Sequence, residues 1–150
     1  VLMIRPSTAV RAAVLGLATG SRSSLGPCAP LWSRARAHGR KGLLCSTVLA
    51  VAGELAMDKV PGMPGRTTGP VLALRVLSGA VGGGLLALGL GERVVPTAVI
   101  AALAVPASAA AGVGWRAGWS GPAHVDAVLE DTAALTLACL AVSGTRAAVS

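Results

Sequence analysis

Four apolar runs, separated by short polar or breaker-rich stretches, lay out the chain: residues 42–58, 70–91, 94–114 and 124–142. Their length and their three- and four-residue spacing of small and large side chains predict helices rather than strands. A fifth apolar stretch, 7–31, is broken by Gly16, Gly20, Arg22, Gly26, Pro27 and Pro30. Its longest uninterrupted run is about ten residues, half of what a spanning helix needs. It is read either as a poor spanning helix or as a segment that enters a membrane and returns, the second being preferred. Pro61 to Pro70 (PGMPGRTTGP) is dense in breakers and predicts a turn, with Pro70 suited to the first turn of the next helix. Pro106 predicts a kink inside 94–114.

Charged residues interrupt these runs where hydrocarbon disfavours them. Glu54, Asp58 and Arg75 sit inside or at the ends of apolar segments, and Asp126, Glu130 and Asp131 open the last one. A charge at the centre of a span costs about 2.5–3.5 kcal/mol on insertion scales, so such residues are expected near helix ends, in pairs, or at functional sites. Ser46, Ala50, Glu54 and Asp58 recur every four residues, as do Asp126, Glu130, Ala134 and Ala138, which puts carboxylates on small-residue helix faces. Arg75, Gly79, Gly83, Ala87 and Gly91 form a third such stripe. Small residues at this spacing admit a second backbone, so Gly79, Gly83, Ala87 and Gly91 are assigned to helix packing and Arg75 is expected to face the bundle. Glu54 and Arg75 both lie toward the 59–70 turn, and Glu130 and Asp131 enter from the same side. The topology therefore predicts a polar cluster at one depth, with Arg75 paired to Glu54 or Glu130. Arg22 and Arg66 flank it from the loops.

Composition agrees with this layout. Of 150 residues, 53% are hydrophobic and 13% charged, against about 25% charged in ordinary soluble domains. Phe and Tyr are absent, and the three tryptophans, Trp32, Trp115 and Trp119, fall at predicted segment ends, where interface anchors belong. The net charge of +7 does not imply nucleic acid. Its one dense patch, Arg34, Arg36, His38, Arg40 and Lys41, has Trp32 alone beside it and no recognisable binding fold. A basic loop facing anionic lipid accounts for it. If 7–31 re-enters, eight basic residues (Arg5, Arg11, Arg34, Arg36, Arg40, Lys41, Arg93 and Arg146) share one side and three share the other. Spanning would reduce this to six against five, so the positive-inside rule favours re-entry with both termini cytoplasmic.

Arg5 and Arg11 precede a short apolar run as in a signal peptide. No small-x-small cleavage site follows, so the segment is expected to stay in the mature protein. Met3 is an alternative start to Val1. Cys28, Cys45 and Cys139 have no metal-ligand spacing. Glu54-xxx-Asp58 and His124-x-Asp126 lack the repeated Glu-x-x-His of a di-metal bundle, and no nucleophile elbow, phosphate loop or dinucleotide motif is present. No metal, cofactor or catalytic residue is therefore assigned, and an enzyme is disfavoured.

Ala18-Thr19-Gly20-Ser21-Arg22, Gly53-Glu54-Leu55 with Asp58-Lys59-x-Pro61, Arg66-Thr67, Arg75-x-x-Ser78-Gly79-Ala80 and Glu130-Asp131 together resemble a bacterial membrane family catalogued as domain of unknown function 4126. The matches run from about residue 10 to 142, the Glu54-to-Ala80 block being the specific part. The resemblance implies a small multi-helix inner-membrane protein and adds no activity.

The expectation is a single all-α integral membrane domain over 1–150, with four transmembrane helices and a short re-entrant or poorly spanning N-terminal segment. Its partners would be the bilayer and either a second copy or other membrane proteins. The leading functional expectation is a transporter- or channel-like protein using Glu54, Asp58, Arg75, Glu130, Asp131, Arg22 and Arg66. The alternative is a non-catalytic scaffold whose buried charges only fix helix packing.

Overall fold

In a computed structural model, which describes residues 3–58, 62 and 68–144, the described residues form six helices and no strand. Pro6 sits at the start of α1 (Pro6–Ser21), where its missing N–H removes no helical bond. Segment 7–31 does not continue as one element. The chain stops at Arg22, whose backbone is extended, and restarts as α2 (Leu25–Ala37), with Pro30 inside the second helix. α3 (Lys41–Met57), α4 (Gly69–Leu90), α5 (Val94–Gly118) and α6 (Ala123–Val142) follow. Expected starts and ends agree with these within about one residue, within ordinary assignment scatter, except for α5. That helix runs without interruption through Pro106 and four residues beyond the expected end, so Trp115 lies on it and Trp119 caps it.

Glycine contacts fix how the helices run. A Cβ on Gly16 would meet Ala104, and one on Gly20 would meet Val105 and Ala109, so α1 and α5 run parallel. A Cβ on Gly79 would lie 2.6 Å from Val105 Cγ2, and one on Gly83 2.7 Å from Thr97 O, so α4 is antiparallel to both. Gly26 lies against Ser78, while Ala37 and His38 lie beside Leu88 and Gly89, so α2 runs with α4. The first two helices thus form a hairpin that doubles back at residues 22–24. α3 returns antiparallel to α2, with Glu54 at the level of Ser23 and Ser24. α6 is antiparallel to α1, since Arg22 meets Asp131 and Arg11 meets Ala141.

α1 occupies the middle of the bundle, packed on α4, α5 and α6. Its buried residues are small or polar (Thr8, Ala12, Gly16, Ala18, Thr19 and Gly20, with Leu15). The facing residues are also small, including Ala101, Ala109, Ala134 and Ala138. Close approach of backbones, rather than bulky interdigitation, holds this core. Large apolar side chains point outward instead: Leu74, Leu77 and Leu88 on α4, Leu103 on α5 and Leu140 on α6 are exposed.

Among the described residues two helices, α4 and α5, are long and apolar enough to cross a membrane, rather than the expected four. α3 stops at 17 residues, about 25 Å for a hydrocarbon core of about 30 Å. α6 has the length, but its first nine residues carry Asp126, Glu130 and Asp131. Of the proposed packing stripe, Gly79, Gly83 and Ala87 are buried. Gly91 is not part of it. It lies just past α4 with φ +65° and ends the helix in the left-handed conformation that glycine adopts without strain.

Candidate functional site

The break between α1 and α2 lies well inside the bundle. It is level with Arg75, six residues into α4, and with Asp131, eight residues into α6, or about 9–12 Å from those helix starts at 1.5 Å per residue. Breaking a helix there exposes backbone groups. The last carbonyls of α1 and the first N–H groups of α2 have no intrahelical partner, and burying such groups unpaired costs several kcal/mol in hydrocarbon.

Charged side chains from other helices pair with the N–H groups of the turn and with one carbonyl of α1. The N–H and hydroxyl of Ser23 each donate to Glu54 Oε1 at 2.7 Å. The Ser24 N–H donates to Oε2 at 2.8 Å, and the Ser24 hydroxyl donates to the same oxygen. Four donors on two oxygens occupy the acceptor capacity of one ionised carboxylate. At the other side of the break, Arg75 Nη1 donates to Gly20 O at 2.8 Å. Arg75 is 5% exposed, and among the described residues its Nε has no hydrogen-bond partner. The signs follow the helix dipole, an anion at the start of α2 and a cation at the end of α1. Arg11 repeats the pattern at the end of α6, donating to Ala141 O at 3.1 Å and to Ser143 O.

Arg22 itself carries the turn's third tie. Its Nε donates to Asp131 Oδ1 at 2.8 Å, its Nη2 pairs with the same oxygen, and its Nη1 pairs with Asp58. The arginine side chain is 5% exposed, and the two aspartates 29% and 24%, so the knot is dry on the arginine side and touches the surface at its acids.

The expected residues converge at one level, but with different partners. Among the described residues, Arg75 pairs with a carbonyl rather than with Glu54 or Glu130. Glu130 pairs with Arg116 on α5, at 2.9 Å. Arg22 is not a flanking loop residue but the centre of the cluster. Arg66 lies outside the described residues. Sequence reasoning missed Ser23 and Ser24, although the polar run Ser21-Arg22-Ser23-Ser24 inside an apolar stretch was the signal for them. It also missed the clamp of α5 on α6, where Trp115 Nε1 donates to Asp126 Oδ1 at 2.6 Å. Among the described residues, no three His, Cys, Asp or Glu side chains gather to hold a metal ion.

Compared with protein-family models, curated proteins and solved structures, the chain matches none. The arrangement therefore has to be read on its own chemistry. It can satisfy broken backbone, and it holds five charges at one level.

Proposed function

We propose that this chain is a multi-pass integral membrane protein that acts as a scaffold or assembly partner, its buried charges locking a re-entrant hairpin in place. Membrane residence is supported by α4 and α5, of which well under half is buried inside the protein. The exposed leucines and valines of α3 to α6 extend that apolar exterior beyond what a water-soluble monomer usually shows. In this reading α3 and α6 also cross. α6 gathers its acids near one end, and α3 is bordered by the basic loop and Asp58. Arg5, Arg11, Arg34, Arg36, Arg40, Lys41 and Arg93 then share one side, which the positive-inside rule makes cytoplasmic. The resemblance to the bacterial family of unknown function fits a multi-helix inner-membrane protein of this kind.

The observation that favours a scaffold over a transporter is the engagement of Glu54. A proton or ion site must release and rebind its cargo, whereas all four contacts to Glu54 come from the turn it caps. The transport reading draws its support from Asp58 and Asp131, which are about a quarter exposed and bring water to the edge of the knot. Glu54→Gln separates the two. The scaffold reading expects a reduced yield of folded protein and no pH-dependent flux from the unaltered chain in proteoliposomes. Robust pH-dependent flux that Glu54→Gln abolishes, with folding intact, would overturn it.

A further inference from the structure

An apolar groove of about 340 Å³ runs between α2, α3 and α6. Its floor includes Cys28 and Trp32 of α2, and its walls include Val48 and Val51 of α3 and Cys139 of α6. The deep end closes at Leu25 and Leu55, next to the polar knot. The other end, lined by Trp32, Thr47 and Val142, lies toward the α2–α3 loop. There the groove faces end in cations: Arg36 lies one turn beyond Trp32 on α2, and Lys41 precedes Cys45 and Val48 at helical spacing on α3. Arg40 sits between them in the loop. All three are exposed, and among the described residues none forms an ion pair. No acidic residue occurs from 32 to 53.

We propose that this groove binds an anionic phospholipid, an acyl chain lying along α2 between α3 and α6 and the phosphate held by Arg36, Arg40 and Lys41. The argument is complementarity at both ends. An apolar channel with almost no polar lining suits a hydrocarbon chain, while a mouth with three exposed cations suits a phosphate and not a zwitterionic headgroup of zero net charge. A second copy of this chain would bring the same cations to the same mouth, and like charges would oppose it. Trp32 stands where the chain would give way to the headgroup, the level at which an indole ring is at home. The proposal rests on the membrane reading above, because only a bilayer presents such a molecule in this orientation.

The test uses the full chain extracted in detergent, with bound lipid read by native mass spectrometry after titration with phosphatidylglycerol or phosphatidylcholine. Retention of phosphatidylglycerol over phosphatidylcholine is expected. Replacing Arg36, Arg40 and Lys41 together by Ala should lower that preference by at least about tenfold. Replacing the two arginines by Lys should preserve it, which guards against a folding artefact. Val48→Trp, at an exposed groove wall, should reduce retention of both lipids. Equal retention of the two lipids by the unaltered chain, or an unchanged preference in the triple alanine variant, overturns the proposal. So does a dimer that Val48→Trp dissolves, since a second copy would then occupy the groove. Extraction of the chain from membranes by alkaline carbonate would instead sink the membrane reading, a distinct failure.

Discussion

The α4–α5 seam and the α1–α2 turn both bring backbone close to backbone, and they do it with opposite materials. Along the seam, Gly79 and Gly83 lie against Ala101, Val105 and the Thr97 carbonyl, with no charged side chain between them. At the turn, Glu54, Arg75 and Arg22 crowd around Gly20, Ser23 and Ser24. The difference lies in the state of the backbone. Both helices of the seam are continuous, so their amides are satisfied internally and only shape is needed for close approach. The turn interrupts two helices inside the bundle, leaving carbonyls and N–H groups that must be paired by something else. Charge inside an apolar chain here completes a broken backbone.

The largest effect expected from this contrast is at Arg22. Arg22→Ala removes one partner from each of Asp58 and Asp131 beside a buried site, and breaking a buried pair costs about 3–5 kcal/mol. The partial exposure of the aspartates places the expectation at the lower end of that range. The measurement is the temperature at which half of the detergent-solubilised protein aggregates. A variant as stable as the unaltered chain would show that the turn needs no such tie.

Next in size is the seam. Gly83→Val forces a Cβ toward the Thr97 carbonyl and Ala98, both on a helix backbone that cannot rotate aside. Overpacking of this kind typically costs about 1–3 kcal/mol. Gly89, on the same helix, has open space where its Cβ would go, so Gly89→Val should be far milder. If the two variants lose stability equally, close packing at Gly83 is not what the substitution disturbs, since helix propensity alone would favour Val over Gly at both positions.

Glu54→Gln ranks beside or just below it. Gln keeps one acceptor oxygen but presents an NH₂ to donors of Ser23 or Ser24, leaving at least one half-buried donor unmatched, toward the lower end of about 1–3 kcal/mol. The paired hydroxyl deletion, Ser23→Ala with Ser24→Ala, should be gentler, because both backbone N–H groups still reach the carboxylate. If the double alanine variant is the more damaging, the hydroxyls rather than the helix start are what Glu54 serves.

Much of this architecture was legible before the structure. The four apolar runs became α3 to α6 because length, spacing and breakers act locally, and the breaks in 7–31 marked a real interruption. The common depth of Glu54, Arg75 and Asp131 also followed from topology. The partners did not. Charges read along a sequence invite pairing with each other, so Arg75 was matched to acids, whereas its nearest need was the Gly20 carbonyl created by the break. Where α1 ends can be guessed from Gly20 and Arg22, but which carbonyls then lack donors depends on the exact turn. The reach of α5 past residue 114 was hidden for a similar reason, because Trp115 and Trp119 read as an ending until Asp126 is seen to anchor Trp115.

The smallest expected effect is the sharpest control on the comparison. Arg5 and Glu92 form an ion pair at 3.3 Å, chemically akin to Arg22 with its aspartates, but here the arginine is 79% exposed and the glutamate 12%, the reverse of the buried arginine at the turn. Solvent screens such a pair, and Arg5→Ala should change stability by no more than about 0.5–1 kcal/mol. Added salt should erase even that, since exposed charges lose most of their attraction as screening rises. The Arg22 variant should keep its defect at the same salt, because its partners face a buried backbone. If Arg5→Ala and Arg22→Ala prove equally damaging and equally salt-sensitive, the turn is held by charge attraction alone, and the broken backbone has no special claim on the residues around it.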